Sequence, residues 1–212
     1  MDAFDLSEHL KKYAHRYQID LQSSLSFLEW LDKQRPNCGK PTIRWKEPSY
    51  RVVYGGFQPL SVAGSLAVGG RFNIGGAQMS ALFPNLAMRA CLYTASHPKC
   101  ARLEAGEPKG AAQICVIKPK SPLELWNLQE IIENELPFQG LKEIVDATPL
   151  AARWELQKVP KISQLLGHFI RQQGGDGLVY PSTKDPKQHI LAFFIQDDVH
   201  ADKTFSAGLA EP

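Results

Sequence analysis

Four cysteines stand in this 212-residue chain, at positions 38, 91, 100 and 115, and none forms a C-x-x-C pair. A zinc site is not expected from that spacing, and no disulfide framework is indicated. Buried free thiols in a reducing compartment are the simpler reading, which places the protein in the cytoplasm. Long apolar runs are also missing. The longest near the end, Ile190–Ile195, is far too short to span a bilayer, so no membrane role is expected. The N-terminal Met1-Asp2-Ala3-Phe4-Asp5 is acidic and has no apolar stretch, unlike a signal peptide. Charge of one sign is scarce: the net charge is +2, with no basic run and no acidic tail. That argues against a dedicated nucleic-acid binder.

Several chemical signatures are absent as well. H-E-x-x-H does not occur, and Ser182 lies outside any G-x-S-x-G elbow. Gly70 and Gly75 have the spacing of a phosphate-binding P-loop, but Gly76-Ala77 stand where Lys and Ser/Thr are required. No G-x-G-x-x-G follows a strand and opens a helix.

The densest feature present is Gly69-Gly70-Arg71-Phe72-Asn73-Ile74-Gly75-Gly76. Four glycines bracketing a cation, an aromatic and an amide suit a backbone that turns sharply or approaches a ligand closely. A guanidinium held there suits an anionic or nucleotide-like ligand. A plain hairpin loop with a surface arginine would look the same on the octet alone.

Around it, apolar residues at helical spacing predict helices over 6–17 and 20–33, the second stopped by Pro36. Residues 35–48 hold three prolines and read as a connector. Tyr50–Tyr54, Ala90–Ala95, Ala111–Ile117, Leu178–Tyr180 and His189–Ile195 have strand composition, the last apolar enough to be central. Pro119–Trp126 reads as extended. A short helical piece after Pro98 carries Glu104, and residues 127–135 look helical with a wet, glutamate-bearing face. A further helical stretch surrounds Trp154. The stripe Ile162, Leu165, Leu166, Phe169 and Ile170 marks a helix opened by Pro160 and stopped by Gly174-Gly175, with His168 beside the stripe as a covered, hydrogen-bonded histidine. The tail after Asp197 has no clear pattern. Strands and helices mix without βαβ alternation, which predicts an α+β fold with a mixed or antiparallel sheet. The expected organisation is a helical pair and connector at 1–49, a main domain at 50–197 and a tail at 198–212.

The order Tyr50-Arg51, Gly69-Gly70-Arg71-Phe72-Asn73, Tyr93 followed by Glu104, and Gly177-Leu178-Val179-Tyr180-Pro181-Ser182 before a final apolar strand resembles the RES domain family. The resemblance covers about residues 50–195. Phe72 stands where that family more often has tryptophan, and the link from Arg71 to Tyr93 is longer than in compact members. Membership implies an ADP-ribosyltransferase-like fold and an NAD⁺-consuming toxin that breaks the nicotinamide–ribose bond, as a glycohydrolase or phosphorylase. NAD⁺ is then a substrate, with no separate cofactor and no metal. The resemblance also implies an antitoxin partner with a helix-turn-helix of the Xre type. A homodimer is compatible with the helices at 1–35.

Under that resemblance Arg51 and Arg71 match the family's two arginines and are expected on the diphosphate. Glu104 is the carboxylate for the positive charge that builds on the ribose, with Glu107 its rival. Tyr93 supplies an aromatic wall, Ser182 a hydroxyl for a phosphate or amide, and Asn73 support. Two other classes stay open: a transferase that modifies a protein target, and a non-catalytic nucleotide-binding module. An interaction domain built on the 1–35 helices is a third.

Overall fold

Successive side chains of a strand point to opposite sides, so a strand apolar at every position is covered on both faces. Past its exposed first residue, His189–Ile195 is such a strand: Ile190 to Ile195 are all buried. It lies in the interior of an eight-stranded sheet, as its composition predicts.

The computed structural model describes residues 29–33, 39–55, 58–61, 90–106, 111–134 and 162–210. The expected helix over 6–17, most of that over 20–33, the stretch around Trp154 and the glycine octet lie outside these residues. Among the described residues the strands are β1 (Ile43–Trp45), β2 (Ser49–Tyr54), β3 (Ala90–Ala95), β4 (Ala112–Pro119), β5 (Leu123–Asn127), β6 (Gly177–Pro181), β7 (His189–Ile195) and β8 (Phe205–Leu209). The helices are α1 (Pro98–Ala105), α2 (Leu128–Asn134), α3 (Ile162–Gln172) and α4 (Asp198–Thr204). This is an α+β fold.

The chain divides into two compact units. One comprises Met1–Lys40, Val68–Met88 and Leu128–Gly174. Its described parts are helical. In α3 the side chains of Leu165, Leu166, Phe169 and Ile170 are buried, matching the stripe in the sequence. His168 is buried too, with Nε2 at 3.0 Å from Gln172 Nε2 one turn on. Gly174 and Gly175 take positive φ, 94° and 85°, and end the helix.

The other unit comprises Pro41–Ala67, Arg89–Asn127 and Gly175–Pro212, and holds the sheet. Its strand order is β1-β5-β6-β7-β3-β2-β4-β8. Every neighbouring pair is antiparallel except β5–β6. The β5–β6 pair is pinned by Asp176, whose Oδ2 accepts from Glu124 N at 2.8 Å while its own N–H donates to Glu124 O. Gly177 permits a close approach: a Cβ there would meet Ala192 O at 2.5 Å and Phe193 Cα at 2.9 Å. One sheet face carries the core, with Leu92, Ile117, Leu125, Leu191, Phe193 and Phe205 among its buried members.

Two elements fall where the sequence shows no pattern. β1 lies in the proline-rich stretch that reads as a connector, paired to β5 from Ile43↔Leu125 to Trp45↔Leu123. The segment after Asp197 is not patternless in space. Asp197 caps α4 by accepting from His200 N at 2.7 Å. β8 then pairs with β4, and Phe205 buries against Phe193 with ring centroids 4.9 Å apart.

Candidate active site

Glu104 stands on α1, a helix whose ends are both specified locally. His97 caps it, its Nδ1 accepting from Lys99 N at 3.2 Å, and Pro98 occupies the first turn where no donor is needed. Gly106 closes it at φ 73°. Tyr54 Oη donates to Ala105 O at 3.3 Å, tying the C-terminal end of the helix to β2.

One turn apart on α1, Cys100 and Glu104 are aligned toward the segment that follows β6. Ser182 opens that segment. Its Oγ accepts from Lys184 N at 3.1 Å and Asp185 N at 3.0 Å, and donates to Glu104 Oε1 at 2.5 Å. Its backbone N–H donates to Gln188 O at 2.9 Å. A serine hydroxyl has one proton and two lone pairs, so all of its capacity is in use. The result is a half-buried carboxylate held in one orientation by a side chain that is itself fixed by two backbone donors. Burial holds the Cys100 thiol above its usual range; the nearby Ser182 hydroxyl works the other way, and the carboxylates of Glu104 and Asp185 add to the rise. Cys100 is therefore a protonated thiol at neutral pH.

Arg51 sits on β2 beside the point where its pairing with β3 stops. In register it lies opposite Cys115 on β4, on the side of β2 that also carries the buried Val53. On the other flank of β2, the ladder to β3 consists of the single pair Tyr50↔Ala95. Beyond it the two strands part, and Arg51 Nη1 donates to the Tyr93 carbonyl at 3.2 Å. Burial lowers the guanidinium pKa to about 10, with Cys115 and Tyr93 acting in the opposite direction. It still carries its charge at neutral pH.

Tyr93, in the middle of β3, is half-buried and joins the two groups, since its carbonyl holds Arg51 and its strand leads through Ser96 and His97 into α1. Glu104 and Ser182 are in direct contact; Arg51 and Tyr93 meet through the main chain. Arg71, Asn73 and the rival Glu107 lie outside the described residues. Sequence reasoning passed over Thr94 and Cys100. Thr94 is next to the single β2–β3 pair, is buried, and its Oγ1 has no hydrogen-bond partner. No composition or spacing signals that; it follows from where the ladder stops. Among the described residues no group of His, Cys, Asp and Glu side chains could hold a metal ion, and no helix is long and apolar enough to cross a membrane.

The sequence model of the RES domain family matches residues 43–208, most of the chain. The protein belongs to the RES domain family. Among solved structures it is similar to a chain of the crystal structure of the M. tuberculosis MbcT-MbcA toxin-antitoxin complex. That likeness has a TM-score of 0.50 at 15% identity and covers 86% of this chain and 92% of that one. At such identity it supports the fold alone. No curated protein matches the chain.

Proposed function

We propose that this protein is an NAD⁺-consuming toxin that breaks the bond between nicotinamide and ribose, as a glycohydrolase or phosphorylase. The observation that carries the reading is the Glu104 carboxylate clamped by Ser182 in the same unit as the charged Arg51 at the parted β2–β3 seam.

In the reaction the C1′–N bond breaks and its electron pair goes to the nicotinamide ring, which leaves neutral. The ribose carbon becomes oxocarbenium-like. A fixed anion beside it stabilises that charge without reorganising, and Glu104 supplies one. Because the leaving group needs no proton, one carboxylate suffices where ordinary glycosidases use two. A nucleophile then bonds to C1′ and gives up its proton: water yields ADP-ribose, inorganic phosphate yields its phosphorylated form. In this reading Arg51 is a diphosphate ligand, Arg71 supplies the second cation and Asn73 supports it. Tyr93 offers the ring that flanks nicotinamide. Ser182 acts through Glu104, keeping one carboxylate oxygen fixed. The chain acts in the cytoplasm, where its substrate is, and an antitoxin with an Xre-type helix-turn-helix restrains it. Family membership supports both points, and the neighbour's complex is consistent with the second.

The test is product analysis with purified protein and NAD⁺, in buffer with and without phosphate. Nicotinamide release with free ADP-ribose, or with its phosphorylated form when phosphate is present, is the expected result. A modified protein would reassign it as a transferase. Saturable NAD⁺ binding with no nicotinamide released in either buffer would overturn the enzyme reading in favour of a binding module.

A further inference from the structure

β8 ends the sheet, and its outer edge is built differently from its inner one. Ala210 N donates to Ile114 O, and Lys120 N donates to Thr204 O. With the register Cys115↔Leu209 to Pro119↔Phe205, the even-numbered residues 204–210 turn their backbone groups toward β4. Ala207 and Leu209 turn theirs outward, and Leu209 is 64% exposed. An open edge of this kind is a template for another strand unless it is blocked.

Beside that edge runs a groove of about 1040 Å³. Ile114, Val116 and Tyr50 give it an apolar floor, and Lys99, Arg102 and Lys118 stand along it. The facing positions of β8 and of the residue after it are the small Ser206, Gly208 and Ala210, so the floor is left open. Among the described residues no acidic side chain lines the groove. The three cations are exposed, and among the described residues none is in an ion pair.

We propose that the β8 edge and this groove form a docking site for an extended acidic segment of a partner protein, added as a ninth strand. Main-chain bonds to Ala207 and Leu209 provide the affinity, and acidic side chains on the groove face meet Lys99, Arg102 and Lys118. A second copy of this chain is the wrong occupant. Edge-to-edge pairing would bring two sets of cations together, with no acidic residue among the described lining of either groove to offset them.

The test uses the full chain and a labelled peptide of alternating valine and glutamate, followed by fluorescence anisotropy. Saturable binding is expected, weakening as salt rises. The double variant Lys99→Glu, Lys118→Glu should weaken it about tenfold or more. Ala207→Pro should weaken it similarly without unfolding the sheet, because the lost N–H points outward. If that variant melts well below the parent, hydrogen exchange at the Ala207 and Leu209 amides replaces it, with slower exchange on adding peptide expected. No saturable binding, binding indifferent to charge reversal, or amides left unprotected would each overturn the proposal. So would displacement of the peptide by ADP or inorganic phosphate, which would mark a small-anion site, or a dimer that Ala207→Pro dissociates. NAD⁺ cleavage by Ala207→Pro should equal the parent's, so failure here leaves the proposed reaction untouched.

Discussion

The two flanks of β3 are built in opposite ways. Toward β7 it pairs at every position from Ala90↔Ile195 to Ala95↔Ile190. Toward β2 it pairs once, at Tyr50↔Ala95, and a guanidinium rather than a strand takes the Tyr93 carbonyl. A complete ladder satisfies its backbone internally and leaves nothing for a ligand. A ladder that stops early leaves backbone groups for other partners, and here a cation and the buried Thr94 hydroxyl lie where it stops. One flank serves stability and the other is available for chemistry.

The largest effect should come from the carboxylate. Glu104→Gln should lower nicotinamide release about 10²–10³-fold with an unchanged melting temperature. Activity within a few-fold of the parent would remove Glu104 from the reaction. Arg51→Ala should cost about 10²-fold in kcat/KM, largely through KM, with Arg51→Lys recovering little because a point charge does not replace the fork. A full recovery by lysine would mean that only charge matters at the open seam.

Across β7 from the closed flank, in the β6–β7 ladder, a single methyl should suffice to disturb the fold. Gly177→Ala directs a Cβ into the backbone of β7 and should destabilise by about 1–3 kcal/mol, read by chemical denaturation. If stability is unchanged, the β6–β7 approach is looser than described. Ser182→Ala should be milder. It leaves the Lys184 and Asp185 N–H groups without their acceptor, at about 1 kcal/mol, and should lower kcat about tenfold while KM stays constant. A rise in KM alone would mean that the serine binds substrate directly.

The smallest effect is a pH dependence. Arg51 has a folded pKa of about 10, below its ordinary value, so between the two the unfolded chain binds more protons. Its contribution to stability is therefore unfavourable below about 10 and is relieved as pH rises through that window. For function the sign is the reverse: the charge is intact at neutral pH and lost above about 10. The Arg51 contribution to KM for NAD⁺ should be flat from pH 6 to 9, and Arg51→Ala should lower affinity by the same factor throughout.

Local signals carried much of the fold. The apolar run of β7, the stripe of α3 with its terminal glycines, and Pro98 at the start of α1 each state their structure through propensity and periodicity. β1 and the α4–β8 segment do not, because they depend on neighbours far along the chain. Phe205 is a core residue only because β4 positions it over Phe193. The site divides in the same way. Residue types and order marked out Arg51, Tyr93, Glu104 and Ser182 as candidates, since side-chain chemistry is written in the chain. Tertiary structure alone decided that Ser182 spends its one proton on Glu104 and that the β2–β3 ladder stops beside Arg51. Hydrogen bonds between residues 78 positions apart and the length of a ladder are settled by packing, which no local pattern encodes.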